Sequence, residues 1–192
     1  MTVTTMNVAA MMIRLFLSVI LLRAALHKQR NRLSFQAELK AYQLLPDSLV
    51  SIAAIALLIT EAFTSLMLLN PDWNFPALIA AVLFGVYALA MLVNLLKGRN
   101  TIDCGCSGPL FSNKEMAKKT ISGSLVIRNL LLMSLALFCT TSVNRGESGA
   151  LEIFIVLAGA FAGLFLYESI EQAIANAQGY QRWKTRNAES TH

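Results

Sequence analysis

"ALIAAVLFGVYALAMLVNLL", from Ala77 to Leu96, contains no charged side chain. A helix rises 1.5 Å per residue, so about 20 residues cross the ~30 Å hydrocarbon core of a bilayer. The stretch therefore reads as a membrane span. Four more runs of similar length and polarity flank it: Val8–Leu26, Ser48–Leu69, Ser124–Thr141 and Ala150–Tyr167. Backbone polar groups in lipid must be satisfied within the segment, and no alternating barrel strands occur, so the spans are helices. The expected fold is all-α, a polytopic transmembrane helix bundle of four or five spans. Residues 1–170 would form the bundle and residues 171–192 a polar tail that carries the last helix into water. The fifth run is short, and its "AGAFAG" (Ala158–Gly163) offers small residues that let a neighbouring helix approach closely.

Composition agrees. Hydrophobic residues make up 56% of the 192-residue chain and charged ones 14%, where a soluble domain carries about a quarter. Mean hydropathy is +0.57. Three cysteines exclude a disulfide scaffold. There is no glycine-rich nucleotide loop, internal repeat or low-complexity tract. The net charge of +5 is sorted by side rather than laid out as a stripe for nucleic acid. At the N-terminus the apolar run precedes the basic cluster, the reverse of a signal peptide, so it reads as a retained first span.

Lysine and arginine placement orients the bundle. The first connection carries Lys28, Arg30, Arg32 and Lys40, and the third Lys97, Arg99, Lys114, Lys118 and Lys119. The tail carries Arg182, Lys184 and Arg186. Against these twelve, the opposite side carries only Arg145. The basic side is expected to be cytoplasmic, with the amino end outside. The first connection also holds Leu33, Phe35, Leu39, Tyr42 and Leu45 at roughly helical spacing, an amphipathic helix expected to lie in the interface and to end before Pro46.

Ionisable residues inside spans need partners. Arg14 and Glu61 lie at depths of roughly 9 and 12 Å from the outer end by helical rise. They are expected to pair across the first two spans. A sharper reading makes Glu61 a proton-carrying carboxylate beside a quinone or other ligand.

The chemistry-bearing motif is "NTIDCGCSGP", Asn100–Pro109, just after the third span. Cys104 and Cys106 straddle Gly105, whose backbone freedom allows a turn that brings the sulfurs together. A disulfide over one intervening residue is strained and readily reduced, which suits exchange. Arg99 and Arg128 would favour thiolate, and Asp103 would tune protonation or pair with an arginine. Two other readings stay open. The thiols could grip a soft metal, with His27 as a third ligand on the same side, although a structural zinc site usually has four. Alternatively the turn is incidental and the chain a structural membrane subunit. Asn94, Arg99, Asp103, Arg128 and Asn129 gather at the depth of the thiols; Asn94 and Arg128 are expected to face the bundle rather than lipid, unless Arg99 and Arg128 only hold lipid phosphates. Cys139 lies roughly 20 Å from that end and reads as a small apolar residue.

The combination "NLLKGRNTIDCGCSG" followed by "LVIRNLLL" resembles the MauE family, within the wider DoxX-like group. The matching positions are Asn94, Gly98, Arg99, Asp103, Cys104, Gly105, Cys106, Gly108, Arg128 and Asn129. "AYQLLP" (Ala41–Pro46) and Glu61 are similar as well. Ser107 stands where the family usually has phenylalanine, and Lys97 where it has arginine. The resemblance runs through about Leu137. It implies a DoxX-like four-helix core and a bacterial inner-membrane protein. It also implies a thiol-redox part in disulfide formation during maturation of periplasmic proteins such as methylamine dehydrogenase, with a thioredoxin-like partner and a disulfide-bearing client. No cofactor is fixed by it. A quinone is the candidate, with Asn94, Asn129 and Glu61 as residues that could bind one. The charge count places the thiols inside, whereas periplasmic clients lie outside, so the direction of electron flow stays open.

Overall fold

The computed structural model describes residues 2–98, 123–141 and 149–189. Six helices follow one another: α1 (Thr2–Arg30), α2 (Arg32–Tyr42), α3 (Asp47–Met67), α4 (Phe75–Leu96), α5 (Gly123–Thr141) and α6 (Ala150–Glu189). No strand occurs among the described residues. Five helices are long and apolar enough to cross a bilayer: Asn7–Arg30, Asp47–Met67, Phe75–Leu96, Gly123–Thr141 and Ala150–Ile174. The expected five spans are present, with α1 and α6 extending beyond their apolar windows. The polar tail is helical as far as Glu189.

Local chemistry sets the boundaries. Pro46 is extended, with φ −64° and ψ 146°, and stands immediately before α3; lacking an N–H, proline suits a helix start. Pro76 occupies the first turn of α4 for the same reason. Helix α2 stops at Gln43, which takes the left-handed conformation with φ 50° and donates its N–H to the Lys40 carbonyl at 3.0 Å. The amphipathic helix expected in the first connection is therefore present, and Phe35 is its buried residue. Leu33, expected on the same apolar face, is instead 84% exposed.

Helices α1, α3, α4 and α5 form a closed four-helix ring in which α1 touches α3 and α5, and α4 touches α5 and α3. Neighbours in the ring are antiparallel. Residues from the start of α4 (Ala77, Ala80, Ala81) share a core cluster with residues from the end of α5 (Leu132, Ala136, Cys139). Met91 near the end of α4 packs with Leu125 and Val126 at the start of α5. Close approach of α1 to α3 is marked by Ser18, whose hydroxyl donates to the Ser65 carbonyl at 2.7 Å. Small residues of this kind let membrane helices meet backbone to backbone.

Helix α6 lies outside the ring, parallel to α1. A Cβ placed on Gly159 would fall 1.7 Å from Met12 Cε, and one on Gly163 would sit 3.6 Å from the Phe16 ring. Phe16 meets Tyr167 edge to face, with centroids 5.9 Å apart. The small-residue run thus forms the α1–α6 contact. The rest of α6 presents Leu151, Phe154, Phe161 and Phe165 outward, each exposed. In water such a surface would be an aggregation hazard; in a bilayer, lipid chains cover it.

Candidate functional site

Buried polar groups collect at three levels of the bundle. At the N-terminal end of α1, the guanidinium of Arg14, 3% exposed, is ringed by acceptors. It donates to the Trp73 carbonyl at 2.8 Å, the Asn70 carbonyl at 3.2 Å, Asn74 Oδ1 at 2.7 Å and the Cys139 carbonyl at 3.2 Å. It thus closes the α3–α4 connection and caps the C-terminal end of α5, where carbonyls lack helical partners and carry partial negative charge.

Deeper in the ring, Lys28 and Glu61 form an ion pair, with side chains 1% and 0% exposed. The Tyr87 hydroxyl donates to Glu61 Oε1 and accepts from Lys28 Nζ at 3.0 Å. The Lys28 ammonium also lies 5.0 Å from the Phe35 ring centroid and 4.7 Å from that of Tyr87, within cation–π range. Glu61 Oε2 and Thr64 Oγ1, one turn apart on α3, are buried with no hydrogen-bond partner among the described residues.

This corrects the pairing expected between Arg14 and Glu61. Each Cα–Cβ bond tilts toward the N-terminus of its own helix. On antiparallel α1 and α3, Arg14 therefore leans toward one end of the bundle and Glu61 toward the other, and the two diverge. Lys28 leans back from the end of α1 into the bundle, toward Glu61. A lysine read as a solvent-side topology signal is thus consumed as a buried partner. Arg30, Arg32 and Lys40 retain the basic bias of that side, with Lys40 held by Asp47 at 2.9 Å on the surface.

At the third level, Arg128 on α5 pairs with Glu171 on α6 at 3.2 Å, and Arg23 on α1 pairs with Glu168. Asn94 and Asn129 are buried on facing helices. Asn94 donates to the Ala90 carbonyl at 3.0 Å, and Asn129 to the Leu125 carbonyl at 2.9 Å and to Met91 Sδ at 3.6 Å. The expected inward placement holds for Asn94, Arg128 is half-buried against α6, and Asn129 is buried too. Arg99, Asp103, Cys104 and Cys106 lie outside the described residues. Cys139 is fully buried, its thiol 3.7 Å from the Ala10 carbonyl, in keeping with a packing role. No group of three metal-ligating side chains occurs among the described residues.

Two cavities adjoin the central cluster. The larger, about 250 Å³, lies among α2, the end of α1, α3 and α4 and is lined by Phe35, Leu39, Tyr42, Leu57 and Met91 together with Lys28 and Tyr87. The smaller, about 30 Å³, has a mixed wall of Ile20, Leu21, Phe84 and Leu132 with Arg23, Glu61, Arg128 and Glu168, and is the size of one water site. Lys28 and Tyr87 line both and form the partition between them.

Sequence reasoning missed Lys28, Tyr87, Glu168 and Glu171 as site residues. Glu168 and Glu171 stand three apart at the end of an apolar run, which places them on one helix face; that spacing was the available signal. Tyr87 carried none.

Five membrane-length helices, four of them closed in a ring around a buried Lys28–Glu61 pair, define a multi-pass integral membrane protein. The chain belongs to the MauE family: residues 6–142 match the family described as Methylamine utilisation protein MauE. It is 35% identical over 176 residues to the Methylamine utilization protein MauE of Paracoccus denitrificans, covering 86% of this chain and 88% of that one. The proteins of the same name from Paracoccus versutus and Methylophilus methylotrophus are 38% identical over 138 residues and 33% over 130, covering 71% and 67% of this chain and 71% and 66% of theirs. No solved structure matches the chain.

Proposed function

We propose that this chain is an inner-membrane thiol–disulfide exchange protein in methylamine utilisation. It would act in maturation of periplasmic proteins such as methylamine dehydrogenase, through Cys104 and Cys106 and a thioredoxin-like partner. What supports the reading is the Cys-Gly-Cys motif that begins eight residues after α4 in sequence, in a chain belonging to a methylamine-utilisation family. In the exchange, the thiolate of one cysteine attacks a partner disulfide and forms a mixed disulfide. The neighbouring thiolate then displaces the partner, leaving a Cys104–Cys106 disulfide and the partner's dithiol; run in reverse, the same two steps oxidise the partner's dithiol and reduce the pair, with electrons conserved either way. Arg128 and Arg99 favour the thiolate, and Asp103 carries the proton.

The test is alkylation of a Cys139→Ala protein in intact cells and in inverted vesicles with a membrane-impermeant maleimide, with and without prior reduction. Two labels that appear only after reduction, and a mixed disulfide trapped in Cys106→Ser or Cys104→Ser, are the expected results. Labelling indifferent to reduction, or stoichiometric metal retained by the thiols, would overturn the reading. The side on which labelling occurs gives the membrane face of the pair.

A further inference from the structure

We propose that the small cavity beside Glu61 holds a bound water that donates a hydrogen bond to Glu61 Oε2 and links the Lys28–Glu61 pair to the Arg23–Glu168 pair. No step of the thiol exchange enters this inference. Two observations carry it. Glu61 is completely buried, and its Oε2 has no hydrogen-bond partner among the described residues. A buried charged acceptor left without a donor is costly, and groups so placed are answered by protein or by ordered water. The same carboxylate lines a cavity of about 30 Å³, and one water needs at least ~10–15 Å³.

The wall selects the occupant. Three cations line it, Arg23, Lys28 and Arg128, together with two carboxylates, Glu61 and Glu168. Each cation already has a carboxylate partner: Glu168, Glu61 and Glu171 in turn. A metal ion or an ammonium would meet three positive charges. An anion would meet the Glu61 oxygen, which calls for a donor. The occupant is therefore neutral, small, and able to donate as well as accept. Water meets these requirements, and its 2–4 hydrogen bonds have partners in the wall: Glu61 and Glu168 accept, the guanidinium groups donate, and the Asn129 amide does either. The side chains of Arg23 and Glu168 are partly exposed, whereas that of Glu61 is not. The water thus carries hydrogen bonding from the floor of the cavity to its rim, joining α3 to α6, both of which pack on α1.

The experiment is hydroxyl-radical footprinting by X-ray radiolysis of the full chain in lipid nanodiscs, read residue by residue by mass spectrometry. Radicals formed from a bound water oxidise the side chains beside it even where bulk water does not reach. Leu21 and Leu17 give the internal comparison. They stand one turn apart on α1, are 1% and 0% exposed, and of the two Leu21 lines the cavity. Leu21 is expected to be oxidised and Leu17 spared. Ala24→Leu extends a side chain from the cavity wall and is expected to bring Leu21 down to the level of Leu17 with helicity unchanged. If that variant loses helicity, Lys28→Met/Glu61→Leu decides, since it removes the acceptor together with its partner charge and should give the same loss. Equal oxidation of the two leucines in wild type, or oxidation of Leu21 that survives in the folded variant, overturns the proposal. Denaturant unfolding reads the link to Glu168. Glu168→Leu is expected to cost less in the Lys28→Met/Glu61→Leu background than in wild type, because effects within one hydrogen-bond network do not add; equal costs overturn the link.

Discussion

Lys28 at the end of α1 and Glu61 in the middle of α3 meet because the two helices run antiparallel and each side chain leans toward its own helix start. Ten residues separate Lys28 from Ser18, roughly 15 Å of rise, while Glu61 is four residues, roughly 6 Å, from Ser65, the partner of Ser18. Two long side chains pointing toward each other bridge the difference. The pair is therefore a consequence of topology, and its removal is predicted to be asymmetric. Lys28→Met leaves a buried carboxylate and should cost about 3–5 kcal/mol. Lys28→Met with Glu61→Leu removes both charges and should recover most of that loss. Denaturant unfolding of the detergent-solubilised proteins reads both.

Arg14 makes four hydrogen bonds from two nitrogens, to the α3–α4 connection and to α5. Lysine preserves the charge but not the planar fork. Arg14→Lys is predicted to lose about 1 kcal/mol for each bond forfeited. It should also speed amide exchange across Leu68–Asn74 more than in α2, as hydrogen-exchange mass spectrometry would show.

Gly159 is where α6 touches α1. Gly159→Leu is predicted to lower the melting temperature by displacing α6. Gly159→Ala should do little, because the atom in its way is the end of the flexible Met12 side chain. Combining Met12→Ala with Gly159→Leu should restore part of the loss, which separates a steric clash from any effect of helix propensity.

Of the three cysteines, Cys139 is fully enclosed. In the folded, reduced protein a maleimide is predicted to add at most two labels, with the third appearing only after denaturation in SDS. A third label on the folded protein would contradict the packing of α5 against α1.

The spans were legible because lipid enforces length and apolarity on any helix that crosses it, and α1, α3, α4, α5 and α6 all obey. The small-residue contact of α6 was legible for a similar reason, since Gly159 and Gly163 have no other evident use. The pairing of charges was not. Depth along an apolar run ignores the tilt of side chains, so Arg14 and Glu61 looked level although they lean apart. Lys28 was hidden because a basic run at a helix end serves topology equally well whether or not one member turns inward. Tyr87 was hidden because a lone tyrosine inside a span has many roles. Glu61 and Asn94 were found because a polar group in hydrocarbon must face protein.

Helix α6 touches the ring chiefly through α1 and turns most of its surface outward, so it looks dispensable. Yet Glu168 and Glu171 are the carboxylates that answer Arg23 and Arg128. Without them the ring would hold two guanidinium groups facing hydrocarbon unanswered by those carboxylates. The outermost helix thus supplies the countercharges of two cations in the inner four. A chain cut after α5 would lose both carboxylates at once.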